Sequence, residues 1–311
     1  MKYVFGPVPS RRLGMSLGID IVPFKNCTFD CVYCQLGVTT RKTIDRGNFV
    51  PQDEVLAEIR EVVDKKADNI DFITFSGSGE PTLNAQLGEM ISRTKVFTDI
   101  PVAVITNGSL LYMDDVRNDL SEADLVAPSL DAITDSTLAK INRPYESLTA
   151  KMLVDGLRDF TQQFKGKIWL EIMIIKGIND DMGELKQTAT LVRDLKLDKI
   201  QLNTVVRPPA EDFALPLTAE EMKEIAGLFD DRVEIIVDFD KIVKHKTQDE
   251  ESIEERISAL LRRRPCTADD ISTSLGLHRN EVIKYVNHLL QADSIKQTRR
   301  GDKWYYESAV R

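Results

Sequence analysis

Residues 21–37 read IVPFKNCTFDCVYCQLG and hold three of the chain's four cysteines, Cys27, Cys31 and Cys34. They continue from SLGIDIVP (16–23), whose apolar alternation predicts a β-strand, so the thiols stand at a strand's carboxyl end. Thiolates are soft ligands that select iron–sulfur clusters, zinc or copper(I). Three of them within eight residues close round one metal centre without long-range folding, but leave a four-ligand site one short. A distant residue, water or a small molecule has to fill the last position. A structural zinc loop completes itself with a further Cys or His. Here the remaining Cys266 and all three histidines (His245, His278 and His288) lie beyond residue 240.

Outward from this loop the pattern is strand, helix, strand. DEVLAEIREVVDK (53–65) places Val55, Leu56, Ile59, Val62 and Val63 on one helical stripe. Strands are predicted at 71–76, 101–108, 124–132, 167–180, 199–206 and 233–239, with helices between them. Strands that alternate with helices at short spacing predict a parallel sheet with helices outside. The fold class expected over residues 1–240 is therefore α/β, a partial (β/α)6 TIM-like barrel. Its opening, GPVPSRRLGMS, is rich in Pro, Gly and Arg and predicts an irregular strap.

Parallel βα folds gather reactive groups at the carboxyl ends of their strands. Those ends carry the cysteines, then GSGEPT, TNG, SLDA, KGIND and NTVVRPPA in chain order. Arg11 and Arg12 in the opening are candidates to lie near an anionic group, and Arg143 and Arg207 either to clamp a substrate carboxylate or phosphate or simply to pair with the surplus acids. Lys176 and residues 203–206 are candidates to border a purine ring. Nothing in the barrel part supplies a Ser-His-Asp or Cys-His nucleophile, because it has no histidine and no cysteine outside the triad.

Cys-x3-Cys-x2-Cys with an aromatic residue, Tyr33, before the last cysteine resembles the signature of the radical S-adenosylmethionine (SAM) superfamily. The resemblance implies a 4Fe–4S cluster on Cys27, Cys31 and Cys34, with one iron left for the amino and carboxylate groups of SAM. It implies reductive cleavage of SAM to a 5′-deoxyadenosyl radical, fed by an external flavodoxin- or ferredoxin-like donor. The loop SGSGEPT (76–82) resembles the family's Gly-Gly-Glu element, which would put Ser78, Gly79 and Glu80 against the SAM amino group. Thr106, Asn107, Ser129 and Asp131 stand where relatives touch its carboxylate and ribose. GPVPSRRLG, the cysteine loop and SGSGEPTLN together are similar to a group near the tRNA wyosine synthases, whose second cysteine set is missing here. Glycyl-radical activating enzymes share the single cluster and an SGxGEP-like loop, which leaves a protein-directed activase as an alternative.

The last sixty-two residues differ from the rest. The chain carries a net charge of −9, yet residues 250–311 hold 11 basic and 10 acidic side chains. A chain-wide nucleic-acid footprint is disfavoured by that total. Residues 241–252 are charged and aperiodic and read as a linker. Residues 253–311 predict three helices and a hairpin turning at Arg300-Gly301-Asp302, a pattern that resembles a winged helix-turn-helix domain. Arg262, Arg263, Arg264, Arg279, Lys284, Arg299, Arg300 and Lys303 are candidates to meet phosphates, and Trp304, Tyr305 and Tyr306 to stack on bases. An RNA or protein substrate is expected through this domain; a DNA-binding regulator that senses redox state through the cluster is the non-catalytic alternative. No apolar run reaches the ~20 residues that span a bilayer, and no secretory leader is recognisable, so a cytoplasmic protein without membrane partners is expected.

Overall fold

In the computed structural model the apolar runs of the sequence become one sheet of parallel strands wound in chain order. The structure describes residues 1–205, 209–237, 248–263, 265–275, 277–300 and 303–309. They fall into two units, Pro7–Val237, and Met1–Gly6 together with Asp238–Arg311.

The larger unit holds β2 (Gly14–Ile19), β5 (Phe72–Phe75), β6 (Val102–Thr106), β7 (Leu125–Pro128), β8 (Lys167–Ile174), β9 (Lys199–Thr204) and β10 (Val233–Ile235). Each is hydrogen-bonded to the next in parallel. A further strand, β1 (Val4–Ser10), flanks β2 at the edge, and the boundary between the units falls inside it. Two short strands in the cysteine loop, β3 (Asn26–Cys27) and β4 (Arg41–Lys42), pair only with each other. Between the strands run α1 (Gln52–Lys66), α2 (Leu87–Lys95), α3 (Asp114–Leu120), α4 (Asp135–Ile141), α5 (Ala150–Gln163), α6 (Met182–Arg193) and α7 (Ala219–Ala226). Right-handed crossovers in a sheet wound one way put their helices on one face. The sequence-predicted stripe of α1 is buried in full.

β8 shows why the sheet needs both faces covered. Ile168, Leu170, Ile172 and Ile174 are buried on one side, while Trp169, Glu171 and Met173 alternate to the other. That other side is filled from the β1–β2 turn, where Leu13 packs on Ala103, Leu125 and Ala127 beside Phe72, Ile105 and Trp169. Leu17, Ile19, Ile73, Phe75 and Val104 are shut off from water, each worth about 2 kcal/mol of burial. Helix starts are fixed by side-chain caps: Thr134, Thr149, Asp181 and, with Glu221 in a reciprocal box, Thr218.

Two expectations need correction. The opening is not an irregular strap throughout, since Val4–Ser10 forms β1; an edge strand tolerates proline because one row of its N–H groups needs no partner. The segment read as a linker is helical from Gln248, the start of α8 (Gln248–Arg263). The remainder of that segment, His245 included, lies outside the described residues.

In the smaller unit α8 is followed by α9 (Ala268–Leu275) and α10 (Arg279–Gln291), then by the antiparallel pair β11 (Ile295–Arg300) and β12 (Lys303–Ser308). Ile257, Leu261, Ile271, Val282, Ile283, Val286 and Ile295 form its buried interior. Cys266 is buried there, and its backbone exchanges two hydrogen bonds with Tyr306. Phe5 belongs to this unit and stacks on His278 with ring centroids 4.8 Å apart. Among the described residues no helix is long and apolar enough to cross a membrane.

Candidate functional site

The cysteine loop leaves β2 at Ile19 and is tied to the loop after β5 by main-chain bonds. Lys25 N donates to Ser78 O (2.7 Å) and Glu80 N to Asn26 O (3.1 Å). So close an approach explains one residue of SGSGEPT: a Cβ on Gly79 would overlap the Asn26 carbonyl. Lys25 itself sits in the left-handed region (φ 56°), fixed there because its carbonyl accepts from Thr40 N and Arg41 N. Further along, Asp30 N donates to Asn142 O, Val32 N to Ile141 O, and Tyr145 N to Thr28 O. The loop is thus stitched to the α4–α5 connection as well.

All three cysteines are free and half-buried. Each sulfur faces a side-chain N–H: Lys25 Nζ lies 3.1 Å from Cys34 Sγ, Asn142 Nδ2 3.4 Å from Cys31 Sγ, and Asn107 Nδ2 3.6 Å from Cys27 Sγ. Burial pushes the Cys27 thiol up to about 12, with Glu80 adding to it, and lifts Cys31 well above its ordinary value. Burial pulls the Lys25 ammonium the other way, but the facing sulfurs outweigh it and leave its pKa raised. Thiols in this setting give up their protons when a metal supplies the counter-charge. Among the described residues no three His, Cys, Asp or Glu side chains group as ligands of a single metal ion. Three soft donors fit an iron–sulfur cluster.

The loops expected to meet SAM divide into committed and open groups. Glu80 is buried, and its carboxylate accepts from Thr82 N (3.0 Å), Thr82 Oγ1 (2.6 Å), Thr106 Oγ1 (2.6 Å) and Asn107 N (2.8 Å). Burial raises its pKa against these donors. Ser78 is buried as well, donating its hydroxyl and its N–H to Asp20. Asp131, also buried, accepts from Tyr33 Oη (2.5 Å), Asn142 Nδ2 (2.7 Å) and Met173 N (2.9 Å). Burial pushes Asp131 up to about 6 and, with Asp131 beside it, pushes the Tyr33 phenol well above its usual range. The side chains of Ser78, Glu80, Thr106 and Asp131 are thus all engaged within the protein, where they brace the ends of the strands. Asn107 and Ser129 stay half-exposed.

The arginine candidates also separate. Arg12 pairs with Glu171 (2.8 Å), which also accepts from Asn203 Nδ2 (2.8 Å). Burial would raise Glu171, but Arg12, Asn203 and Arg11 overcome it and hold the carboxyl below its ordinary value. Arg12 is therefore neutralised, and the neighbouring Arg11 donates to Asn203 Oδ1 (3.5 Å) and shares the charge of Glu171. Arg143 is paired with Glu211 (2.6 Å). Arg207 lies outside the described residues. Lys176 pairs with Glu221 at the surface, and Asn203 is buried against Glu171. Lys25 and Asn142 were not singled out from sequence, since nothing in PFKNC or INRP signals a side chain turned toward a sulfur.

The match to a family model settles the classification: residues 21–189 match the radical SAM superfamily. The chain belongs to the radical SAM superfamily. A protein named GTPase Obg from Brachyspira hyodysenteriae is 39% identical over 297 residues, 95% of this chain but 44% of that protein. A UPF0026 protein of Helicobacter pylori is 32% identical over 306 residues, 97% of this chain and 96% of its own, so the chain is also a UPF0026 family member. A probable dual-specificity RNA methyltransferase RlmN of a Thermotoga species is 24% identical over 201 residues, 61% of this chain and 55% of that protein. Among solved structures, a radical SAM methyltransferase from Sphaerobacter thermophilus superposes with a TM-score of 0.54 at 19% identity, covering 71% of this chain and 65% of that one. The superposition shows a shared α/β fold with a mostly parallel sheet. The cofactors of this radical SAM protein are a 4Fe–4S cluster and S-adenosylmethionine.

Proposed function

We propose that this protein is an enzyme that cleaves SAM reductively and takes a hydrogen atom from a large substrate, RNA ahead of protein. The observation that carries the reading is the three-thiol loop held by backbone bonds against SGSGEPT at the carboxyl ends of a parallel sheet. When bound, the cluster and SAM supply one electron and a 5′-deoxyadenosyl radical, with an external flavodoxin- or ferredoxin-like protein as the electron source. Cys27, Cys31 and Cys34 hold three irons. The backbone of Ser78 and Gly79 would receive the SAM amino group, and Glu80 keeps that backbone in place through Thr82, Thr106 and Asn107. Asn107 and Ser129, half-exposed at the ends of β6 and β7, are the side chains placed to meet the SAM carboxylate and ribose.

RNA is favoured by the likeness to an RNA methyltransferase and by the three helices and hairpin of residues 253–311, read as a winged-helix domain. There Arg299 lies over the Trp304 ring (5.9 Å), and Trp304 and Tyr305 are half-exposed, which suits stacking on bases. Tyr306 is buried and takes no part. Arg279 is paired with Asp269 and Lys284 lies over the Phe5 ring, which takes both from the set of candidate phosphate contacts. Gly301 and Asp302, and the side chains of Arg262, Arg263, Arg264 and Arg300, lie outside the described residues.

Protein reconstituted anaerobically with iron and sulfide, then given SAM and dithionite, should release 5′-deoxyadenosine and methionine, and Cys31→Ala should release neither. Unlabelled SAM incubated with deuterated cell RNA and, separately, with deuterated proteome should yield deuterium-bearing 5′-deoxyadenosine from the RNA only. Absence of 5′-deoxyadenosine from iron-loaded protein, together with a DNA affinity that follows cluster oxidation, would instead identify a redox-sensing regulator. Deuterium passed to 5′-deoxyadenosine from a protein glycine, with a glycyl radical left behind, would identify an activase.

A further inference from the structure

We propose that Lys25, with smaller contributions from Asn142 and Asn107, sets the reduction potential of the cluster, each donating an N–H to a different cysteine sulfur. The inference rests on the reading above that Cys27, Cys31 and Cys34 hold the cluster. The three sulfurs have three separate donors from three parts of the chain: the cysteine loop, the α4–α5 connection and the end of β6. The two amides are shared. Asn142 also donates to Asp131 (2.7 Å), and Asn107 to Thr28 Oγ1 (2.7 Å). Lys25 Nζ is closest to its sulfur, at 3.1 Å, and brings a full positive charge.

The backbone at Lys25 argues that the side chain is kept for what it does. A lysine at φ 56° occupies a region that glycine enters without strain. Its residue is 3% exposed, and an ammonium so buried is costly unless opposite charge faces it. Four main-chain bonds hold the residue in that conformation: its N–H to Ser78, its carbonyl from Thr40 and Arg41, and Asn26 N to Pro23 behind it. The side chain is thereby aimed at Cys34. Hydrogen bonds to the sulfurs and nearby net charge both tune iron–sulfur potentials. Reduction adds one electron, so the reduced cluster carries one more negative charge. An N–H donor or an ammonium in a poorly solvated pocket stabilises that state more than the oxidised one, which raises the potential. Lys25 acts here as a positioning and tuning residue; it makes reduction by a physiological donor less uphill.

The test is a redox titration of the holoprotein, with and without SAM, following the reduced cluster by electron paramagnetic resonance. Iron and sulfide are counted first, so that equally loaded proteins are compared. At the wild-type midpoint, Lys25→Met should show a reduced-to-oxidised ratio about tenfold lower, a displacement of 59 mV to more negative potential for one electron. Lys25→Gln, which keeps an N–H but no charge, should fall between the two. Where the methionine variant does not hold its iron, the glutamine variant carries the comparison, and its midpoint should still lie below that of the wild type. Variant midpoints equal to that of the wild type, in proteins with full iron and the same resonance, overturn the inference while leaving the cluster assignment intact. A wild-type protein that yields no 4Fe–4S resonance overturns the assignment itself, and the inference with it.

Discussion

Glu80 and Asp131 arrive at the same end of the sheet, one in the loop after β5 and the other in the loop after β7, and both are buried carboxyls whose pKa burial raises. They differ in what they hold. All four donors to Glu80 come from its own loop and the adjoining end of β6, so it is a joint between neighbouring strands. The three donors to Asp131 come from the cysteine loop, the α4–α5 connection and β8, and one of them, Asn142, also reaches Cys31. The first carboxylate fixes where a loop runs; the second couples a distant strand to a cysteine of the triad. A polar residue at the end of a strand is thus no evidence by itself for contact with a ligand.

The strongest way to break the comparison is to spoil the joint that Glu80 sits in. Gly79→Ala places a methyl group on the Asn26 carbonyl, next to Cys27, and both are backbone groups that cannot turn aside. Overpacking of this kind should cost about 3 kcal/mol. It should also lower bound iron after reconstitution, because the cysteine loop has to move away. Iron counts and melting temperatures check both effects. A variant that keeps its iron and melts with the wild type would show that the two loops are not rigidly joined.

A milder change sharpens the role of the carboxylate. Glu80→Gln keeps the shape but sets an amide N–H against either Asn107 N–H or the Thr82 and Thr106 donors. One mispaired buried donor costs about 1–3 kcal/mol. The melting temperature should fall, while SAM affinity measured on the loaded protein should change less than about threefold, under 1 kcal/mol. The reverse pattern, a stable protein with SAM binding weakened tenfold or more, would mean that Glu80 touches SAM and that the joint is incidental.

Sequence carried the sheet well because its signals are local. The strands predicted at 71–76, 101–108 and 199–206 contain β5, β6 and β9, and the α1 stripe is buried as its spacing requires. The cysteines were legible because soft ligands at short spacing have few other uses. The surrounding frame was not legible. Asn142 and Cys31 lie 111 residues apart and Tyr33 and Asp131 lie 98 apart. Pairing at that separation depends on the winding of the sheet rather than on any local pattern. Lys25 resembles an ordinary surface lysine until its left-handed backbone is seen to turn it inward. The partners of the arginines were hidden for a related reason: Arg12 and Arg143 find their counter-charges in Glu171 and Glu211, on segments far along the chain.

The smallest expected effect is in the pH dependence of Asp131. Burial lifts this carboxyl from 3.8 to about 6, against the bonds from Tyr33 and Asn142. The folded protein therefore binds the proton more tightly than the unfolded chain does, so protonation favours folding. The contribution is complete below about pH 4 and is lost as pH rises through about 6. Between pH 5 and 7.5 the wild type should lose about 1–2 kcal/mol that Asp131→Asn, which does not titrate, keeps. Anaerobic urea titrations of both loaded proteins across that range measure the difference. Glu80 remains intact in both, so its own titration cancels in the comparison. Parallel stability curves would place Asp131 ionised throughout, with its three donors outweighing its burial, and would make it the same kind of fixed joint as Glu80.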